Sequence, residues 1–410
     1  MKANCDTPGL MPIEQAMNIM MDAIVPIAEA STCYLSHAVD RVIAQDIISP
    51  IQVPAYDNSA MDGYAFKYAD YLASNTLVQV GKSFAGSNFE GQLSAGQCIR
   101  IMTGGAIPVG ADTVVMQENT VADGHKITIM HASKGDAIRP AGDDIQKGAL
   151  VLPKGHRITP LDIGLLASLG IPSVKVFRQL TVAVFSTGDE LLPVGSPARN
   201  DRIYDTNRPM LVAMLSRLGA KVLDLGIIAD DKALIRAALE HANIHADCVI
   251  TSGGVSVGEA DYTREILEEY GKVEFWKLAI KPGKPLAFGK LPNSLFFGLP
   301  GNPVSSAVTF DHIATPALKF LAGCNDVPSM PLPAVASSAF KKRPGRTDYQ
   351  RAYYFVDKKG QLCVETSVSQ SSGVLSSFKT CNCYAILEQD RASVCIGEVV
   401  NILPFSVPII

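Results

Sequence analysis

The residues best suited to chemistry gather in the second half of this chain. Residues 249–266 read V-I-T-S-G-G-V-S-V-G-E-A-D-Y-T-R-E-I. An apolar run ends at Ser252, a glycine pair follows, and Asp261 stands where a helical pattern begins. Gly253 and Gly254 lack a Cβ, so their N–H groups can approach a phosphate or similar anion. A carboxylate such as Asp261 would instead hold a cation. Together they suggest a site for a phosphorylated ligand and a divalent metal. Similar turns carry Asp189 and Glu190, Asp230 and Asp231, and the loop Pro300-Gly301-Asn302-Pro303. Each acid alone reads equally as a helix N-cap or first-turn residue. Four acids and two glycine loops at one edge favour a functional cleft, because clustered carboxylates repel unless a cation lies among them.

Other stretches leave two readings open. Val53–Ala65, with Asp57 and Asp62, is either an Asx-turn loop or a loop entering a cleft. Thr103-Gly104-Gly105 is either an anion-facing loop or a turn between strands. Arg139 and Asp144 are a surface pair or part of a site. Three motifs fail on context. Gly254-Val-Ser-Val-Gly258 lacks the sharp strand-to-helix turn of a hydrolase elbow. His241 and His245 share a helix face without a third ligand. No Gly-x-Gly-x-x-Gly or phosphate P-loop is present.

The elements that position these residues follow from periodicity. Pro12–Val25 has helical apolar spacing with a methionine stripe. Leu77–Ile129 holds short alternating runs, as expected of a small β-rich domain. From Leu180, strands at 181–185, 221–227, 247–250, 274–280, 286–288 and 294–297 alternate with helices. That alternation predicts a doubly wound, mostly parallel α/β sheet, with post-strand loops converging at one edge. If 274–281 is continuously extended, Lys277 and Lys281 point to the same face. Beyond a proline-rich linker near Val327, short strands predict a small β-barrel or sandwich, interrupted by Gln370–Gly373.

The chain has 410 residues, 47% hydrophobic and 19% charged, with net charge −4. That length implies several domains. The charge balance gives no support for nucleic acid or a membrane surface as partner. No apolar run reaches membrane-spanning length, and the N-terminus does not read as a signal peptide. The nine scattered cysteines suit a reducing cytoplasm.

Seven motifs, in order, resemble those of the MoeA family of molybdopterin molybdenumtransferases, which includes the E domain of gephyrin-type proteins. They are Asp57–Ala65, Thr103–Glu118, Arg139 with Gly142–Ile145, Phe185–Glu190, Ser252–Gly258 with Asp261-Tyr262, Lys281–Pro285 and Gly298–Ser305. The resemblance implies an elongated helical and linker unit over 1–52 and 146–178, and a β-rich inserted unit over 53–145. It further implies a MogA/MoaB-like α/β domain over 179–327 and a C-terminal β-barrel over 328–410. It implies insertion of molybdate into adenylylated molybdopterin with Mg²⁺-dependent release of AMP, the last step of molybdenum cofactor synthesis. It also implies a homodimer with the cleft between subunits. A separate adenylyltransferase would supply the substrate, and molybdoenzymes or their chaperones would receive the product. Carried over by position, Asp57, Thr103, Glu190, Asp230 and Asp261 are catalytic, the last three as metal ligands. Arg139, Asp144, Thr187, Gly188, Ser252, Gly253, Gly254, Lys277, Lys281, Pro300, Gly301, Asn302, Pro303, Arg351 and Ser372 would contact substrate. Lysine, arginine and backbone N–H groups suit oxyanions, and one or two carboxylates suit phosphate-bound Mg²⁺. The competing readings are a molybdopterin adenylyltransferase and a scaffold of the same fold.

Overall fold

The structure is a computed structural model, described here for residues 10–254, 262–326, 330–367 and 369–405. Asp261 lies outside the described residues, as does the rest of 255–261.

The central sheet is built of β1 (Thr181–Thr187), β2 (Lys221–Ile228), β3 (Cys248–Ser252), β4 (Lys272–Lys277), β5 (Pro285–Lys290) and β6 (Leu295–Leu299). Their order is β2-β1-β3-β6-β5-β4. The first four are parallel, and β5 runs against both β6 and β4. Side chains alternate between two cores, as a strand covered on both faces requires. Val182 and Val184 face one core with the helices Ile13–Ala23, Asn207–Arg217 and those of 303–321. Ala183 and Phe185 face the other, with helices Lys232–His245 and Tyr262–Tyr270. The methionine stripe is core: Met20 is fully buried against this sheet, although it falls in the segment 1–52.

Residues 53–145 hold a six-stranded sheet in the order 113–116, 63–66, 97–101, 76–83, 126–129, 120–123. Its second strand, Gly63–Phe66, is buried throughout. A Cβ on Gly63 would collide with the Val115 carbonyl, so only glycine allows this strand to pair so closely. The segments flanking 53–145 pair with each other: Ala30–Tyr34 with Ser173–Phe177, and Ile47–Ile48 with Leu150–Leu152. Their small core, with Ile43, Ile158, Leu166 and Val176, is closed by helix Pro160–Ser168, which Thr159 and Asp162 cap reciprocally.

The tail is a closed barrel of β7 (Leu332–Ala336), β8 (Thr347–Val356), β9 (Leu362–Thr366), β10 (Cys383–Leu387) and β11 (Val399–Pro404), in ring order β8-β9-β7-β11-β10. Among the described residues no helix is long and apolar enough to cross a membrane.

Two expectations need correction. The stretch 274–280 is not one strand. β4 ends at Lys277, and Ile280–Lys281 forms a separate strand that joins the barrel beside β8. Lys277 and Lys281 therefore lie in different sheets and share no face. The proline-rich stretch beyond Val327 is also not simply a linker, because Pro333 sits within β7 opposite Asn401 of β11.

Candidate active site

The four parallel strands end together. Thr187 of β1 pairs with Ile228 of β2, while Ser186, Ser252 and Leu299 stand abreast in β1, β3 and β6. The loops that follow carry Gly188–Glu190, Asp230, Gly253-Gly254 and Pro300–Pro303, so the expected convergence holds for them.

The glycine loop is tightly fitted. Gly253 and Gly254 have φ of +92° and +66°, a region that favours glycine. A Cβ on Gly253 would lie 2.7 Å from the Thr187 carbonyl oxygen, and Gly253 N–H donates to the Leu299 carbonyl. One residue that sequence reading missed ties the loops together. Asn207, nearly buried, donates through Nδ2 to Ser252 Oγ at 2.7 Å and to the Gly301 carbonyl at 2.8 Å. Beside it Asp205, 1% exposed, accepts from Ser186 Oγ and from the Arg208 guanidinium. Their signal in sequence is only a short polar run before a helix, Asp205-Thr206-Asn207.

The acids at this edge are exposed and lack cationic partners among the described residues. Asp231, not Asp230, caps the helix Lys232–His245, accepting from the Ala233 and Leu234 N–H groups. Asp230 is left facing Asp189, whose Oδ1 accepts from the Asp230 N–H at 3.2 Å. Its carboxyl is held above the ordinary value, first by loss of water around it, then by the charges of Asp189 and Glu190. The Glu190 side chain folds back over Gly188, where a Cβ would meet its Oε2 at 2.5 Å. Among the described residues no ion pair reaches Asp189, Glu190 or Asp230, and no group of three acids, histidines or cysteines closes on one point. The expected three-acid set of Glu190, Asp230 and Asp261 thus has two described members.

The barrel reaches this edge at two points. The Val304 N–H, in the first turn after Pro303, donates to the Ser372 carbonyl at 3.1 Å. Lys281 Nζ pairs with the buried Asp348 of β8 at 2.9 Å. Lys281 therefore already answers a carboxylate. Arg351 is fully buried, and its Nη2 donates to the Ser369 and Ser371 carbonyls. Its Nη2 holds the loop that presents Ser372, while its Nε and Nη1 have no hydrogen-bond partner among the described residues. Lys277 is half-buried at the end of β4.

The remaining expected residues form a second cluster within 53–145. Asp57 Oδ1 accepts from the Ala141 N–H, Asp62 Oδ1 accepts from both Thr103 N–H and Oγ1–H, and Arg139 pairs with Asn58 across a two-residue ladder. The Thr103 bonds hold the Asp62 carboxyl below its ordinary value. Asp144 is exposed, its N–H bonded to the Val53 carbonyl, and makes no ion pair with Arg139 among the described residues. Among the described residues, the hydrogen bonds of Asp57, Asp62 and Thr103 all fall within 53–145.

Fold and site together define a doubly wound α/β protein with loops converging outside the carboxyl ends of its parallel strands, the edge at which that class of fold binds ligands, and with a β-barrel packed beside it. Comparison with known proteins narrows this. The family profile described as MoeA N-terminal region (domain I and II) matches residues 11–170. Those described as probable molybdopterin binding domain and MoeA C-terminal region (domain IV) match 183–319 and 333–405. The chain is 46% identical over 400 residues to a molybdopterin molybdenumtransferase of Haemophilus influenzae, covering 97% of this chain and 99% of that protein. A protein of the same name in Bacillus subtilis is 34% identical, with 90% and 88% covered. The crystal structure of a molybdopterin biosynthesis moeA protein of Pyrococcus horikoshii superposes with TM-score 0.84 at 28% identity, over 97% of this chain and all of that one. The chain belongs to the MoeA family of molybdopterin molybdenumtransferases.

Proposed function

We propose that this chain is a cytoplasmic transferase that inserts molybdate into adenylylated molybdopterin and releases AMP, using Mg²⁺. The whole-length match to proteins named molybdopterin molybdenumtransferase supports the reaction, the final step of molybdenum cofactor synthesis. The observation that carries the site is a set of unpaired acids beside a glycine loop at the carboxyl edge of the parallel strands.

The donor set fits Mg²⁺. This ion takes one or two carboxylates and completes its octahedron with water and phosphate oxygens. Glu190 and Asp230 are hard oxygen donors with no cationic partner among the described residues, and the mutual repulsion at Asp230 is what such an ion would relieve. When bound, it would offset charge on the phosphate oxygens. The chain's own residues do the rest. The Gly254 backbone would face the ligand anion, since the Gly253 N–H is already bonded to the Leu299 carbonyl, and Asn207 holds that loop against Gly301. Arg351 and Ser372 fix the proline loop from the barrel side. Asp57, Thr103, Arg139 and Asp144 would enter from a second copy, making the working unit a homodimer.

The test is purified protein incubated with adenylylated molybdopterin, with and without molybdate and Mg²⁺. AMP release that needs both ions is expected. Transfer of AMP from ATP to molybdopterin, or no AMP release, would overturn the reading in favour of an adenylyltransferase or a scaffold.

A further inference from the structure

We infer that the cleft beside Tyr204 holds the adenine of the substrate's nucleotide half, stacked on the Tyr204 ring. The inference rests on the reading above and names the part of the ligand that this cleft takes.

The cleft has a volume of about 450 Å³, within the roughly 300–1,000 Å³ of small-molecule sites. Val194, Tyr204, Pro209 and Leu375 give it an apolar lining, and Asp205 and Thr206 are its polar side chains. It adjoins the acids of the candidate site. Ile203-Tyr204 pairs in parallel with Leu191-Leu192, and the Ile203 N–H donates to the Glu190 carbonyl at 2.9 Å. Asp205 is bonded to Ser186 near the end of β1. Leu375 follows three residues after Ser372, whose carbonyl accepts from the Val304 N–H. One wall of the cleft therefore comes from the α/β domain and the other from the barrel.

The Tyr204 hydroxyl donates to the Ser196 carbonyl at 2.7 Å, which fixes the ring, yet Tyr204 is 40% exposed and Val194 69% exposed. A tyrosine anchored at its polar end offers an aromatic face on which a flat base can stack. The polar lining decides between the two ring systems of the substrate. A pterin carries an aminopyrimidinone edge that calls for a carboxylate or amide partner. Asp205 is already engaged: its Oδ1 accepts from Ser186 Oγ and its Oδ2 from Arg208 Nε. The Thr206 hydroxyl, bonded to Asn207 Oδ1 at 3.4 Å, is the weakly held polar group left to meet a base edge. Adenine has fewer polar edge atoms to satisfy and suits this lining better.

The cleft is tested by calorimetric titration of full-length protein, with Mg²⁺ present, using AMP, ribose 5-phosphate and 6-hydroxymethylpterin. Tyr204→Ala should weaken AMP roughly tenfold to a hundredfold, the worth of one base–aromatic stack, and leave ribose 5-phosphate within about twofold. Tyr204→Phe keeps the ring and should bind AMP within about threefold of the unaltered protein. Leu375→Ala should weaken AMP severalfold from the barrel side. Unchanged AMP binding by Tyr204→Ala, an equal loss with ribose 5-phosphate, a loss that falls on the pterin instead, or no AMP binding by the unaltered protein would each overturn the inference. AMP release from adenylylated molybdopterin is read separately. Release without any dependence of AMP binding on Tyr204 refutes the base site alone, and AMP binding through Tyr204 without release refutes the proposed reaction alone.

Discussion

The acids of residues 53–145 and those at the edge of the central sheet are of the same types, yet their surroundings are opposite. Asp57 is exposed and Asp62 half-buried, but each accepts hydrogen bonding from a neighbouring loop, and Asp62 is held below the ordinary carboxylate value. Asp189, Glu190 and Asp230 have no ion-pair partner among the described residues, and Asp230 is pushed up. The first group stabilises loops as it stands. The second leaves its charges without an ion-pair partner among the described residues. Asp230 and Asp231 show the same contrast one residue apart: Asp231 caps a helix and Asp230 does not.

The sharpest way to break this comparison is Glu190→Gln. It removes a charge with no cationic partner among the described residues, so stability should hold while AMP release falls by several kcal/mol in barrier, roughly a thousandfold. Thermal melting with and without Mg²⁺, alongside the AMP assay, reads both. A loss of folding with Mg²⁺ response intact would place Glu190 with the structural acids. His312 extends the contrast to an uncharged group. It is buried between Tyr349, stacked at 4.1 Å, and Tyr384 of the barrel, and burial pushes its pKa down to about 4 from 6.5. The folded state holds it neutral, so this contribution is full above pH 6.5 and drains as pH falls toward 4. It amounts to about 3 kcal/mol. Denaturant melts at pH 7 and pH 4.5 should show His312→Phe losing less stability than the unaltered protein. Next in size, Asp231→Ala should cost about 1 kcal/mol as a lost N-cap and leave the Mg²⁺ response unchanged, whereas Asp230→Asn should do the reverse. The smallest effect is local. Asp62→Ala should speed hydrogen exchange at the Thr103 amide several-fold. The part of that protection that needs ionised Asp62 should also be lost as pH drops through its lowered value.

The alternation of the central sheet was legible because its strands are short apolar runs bounded by glycine, proline and acids. Periodicity placed Thr181, Lys221, Cys248 and Leu295 within one residue of their strand starts. Edges decided by distant partners were not legible. Gly63–Phe66 reads as the end of a polar loop, and it becomes a strand because two others bury it from both sides. The helix after Pro303 reads as continuous, yet Phe310–Ala314 is wound as a π-helix. Lys277 and Lys281 read as one face because local spacing cannot show that a strand changes sheets between them. The acids at the edge could be named from their loops. In the other cluster, whether Asp57 is already satisfied could not be read, because that depends on an N–H far away in sequence, that of Ala141. Asn207 was invisible for the same reason: its two partners lie 45 and 94 residues downstream.

Among the contacts that fasten the barrel to the α/β half, two act as rivets: Lys281 with Asp348, and the Val304 N–H with the Ser372 carbonyl. A closed ring of strands has no loose edge along which it can yield. Any tilt of the tail is therefore transmitted as a displacement of the proline turn. A graft exchanging this tail for one from a distant relative would have to reproduce both rivets, or the turn would shift even with every residue of the cleft retained.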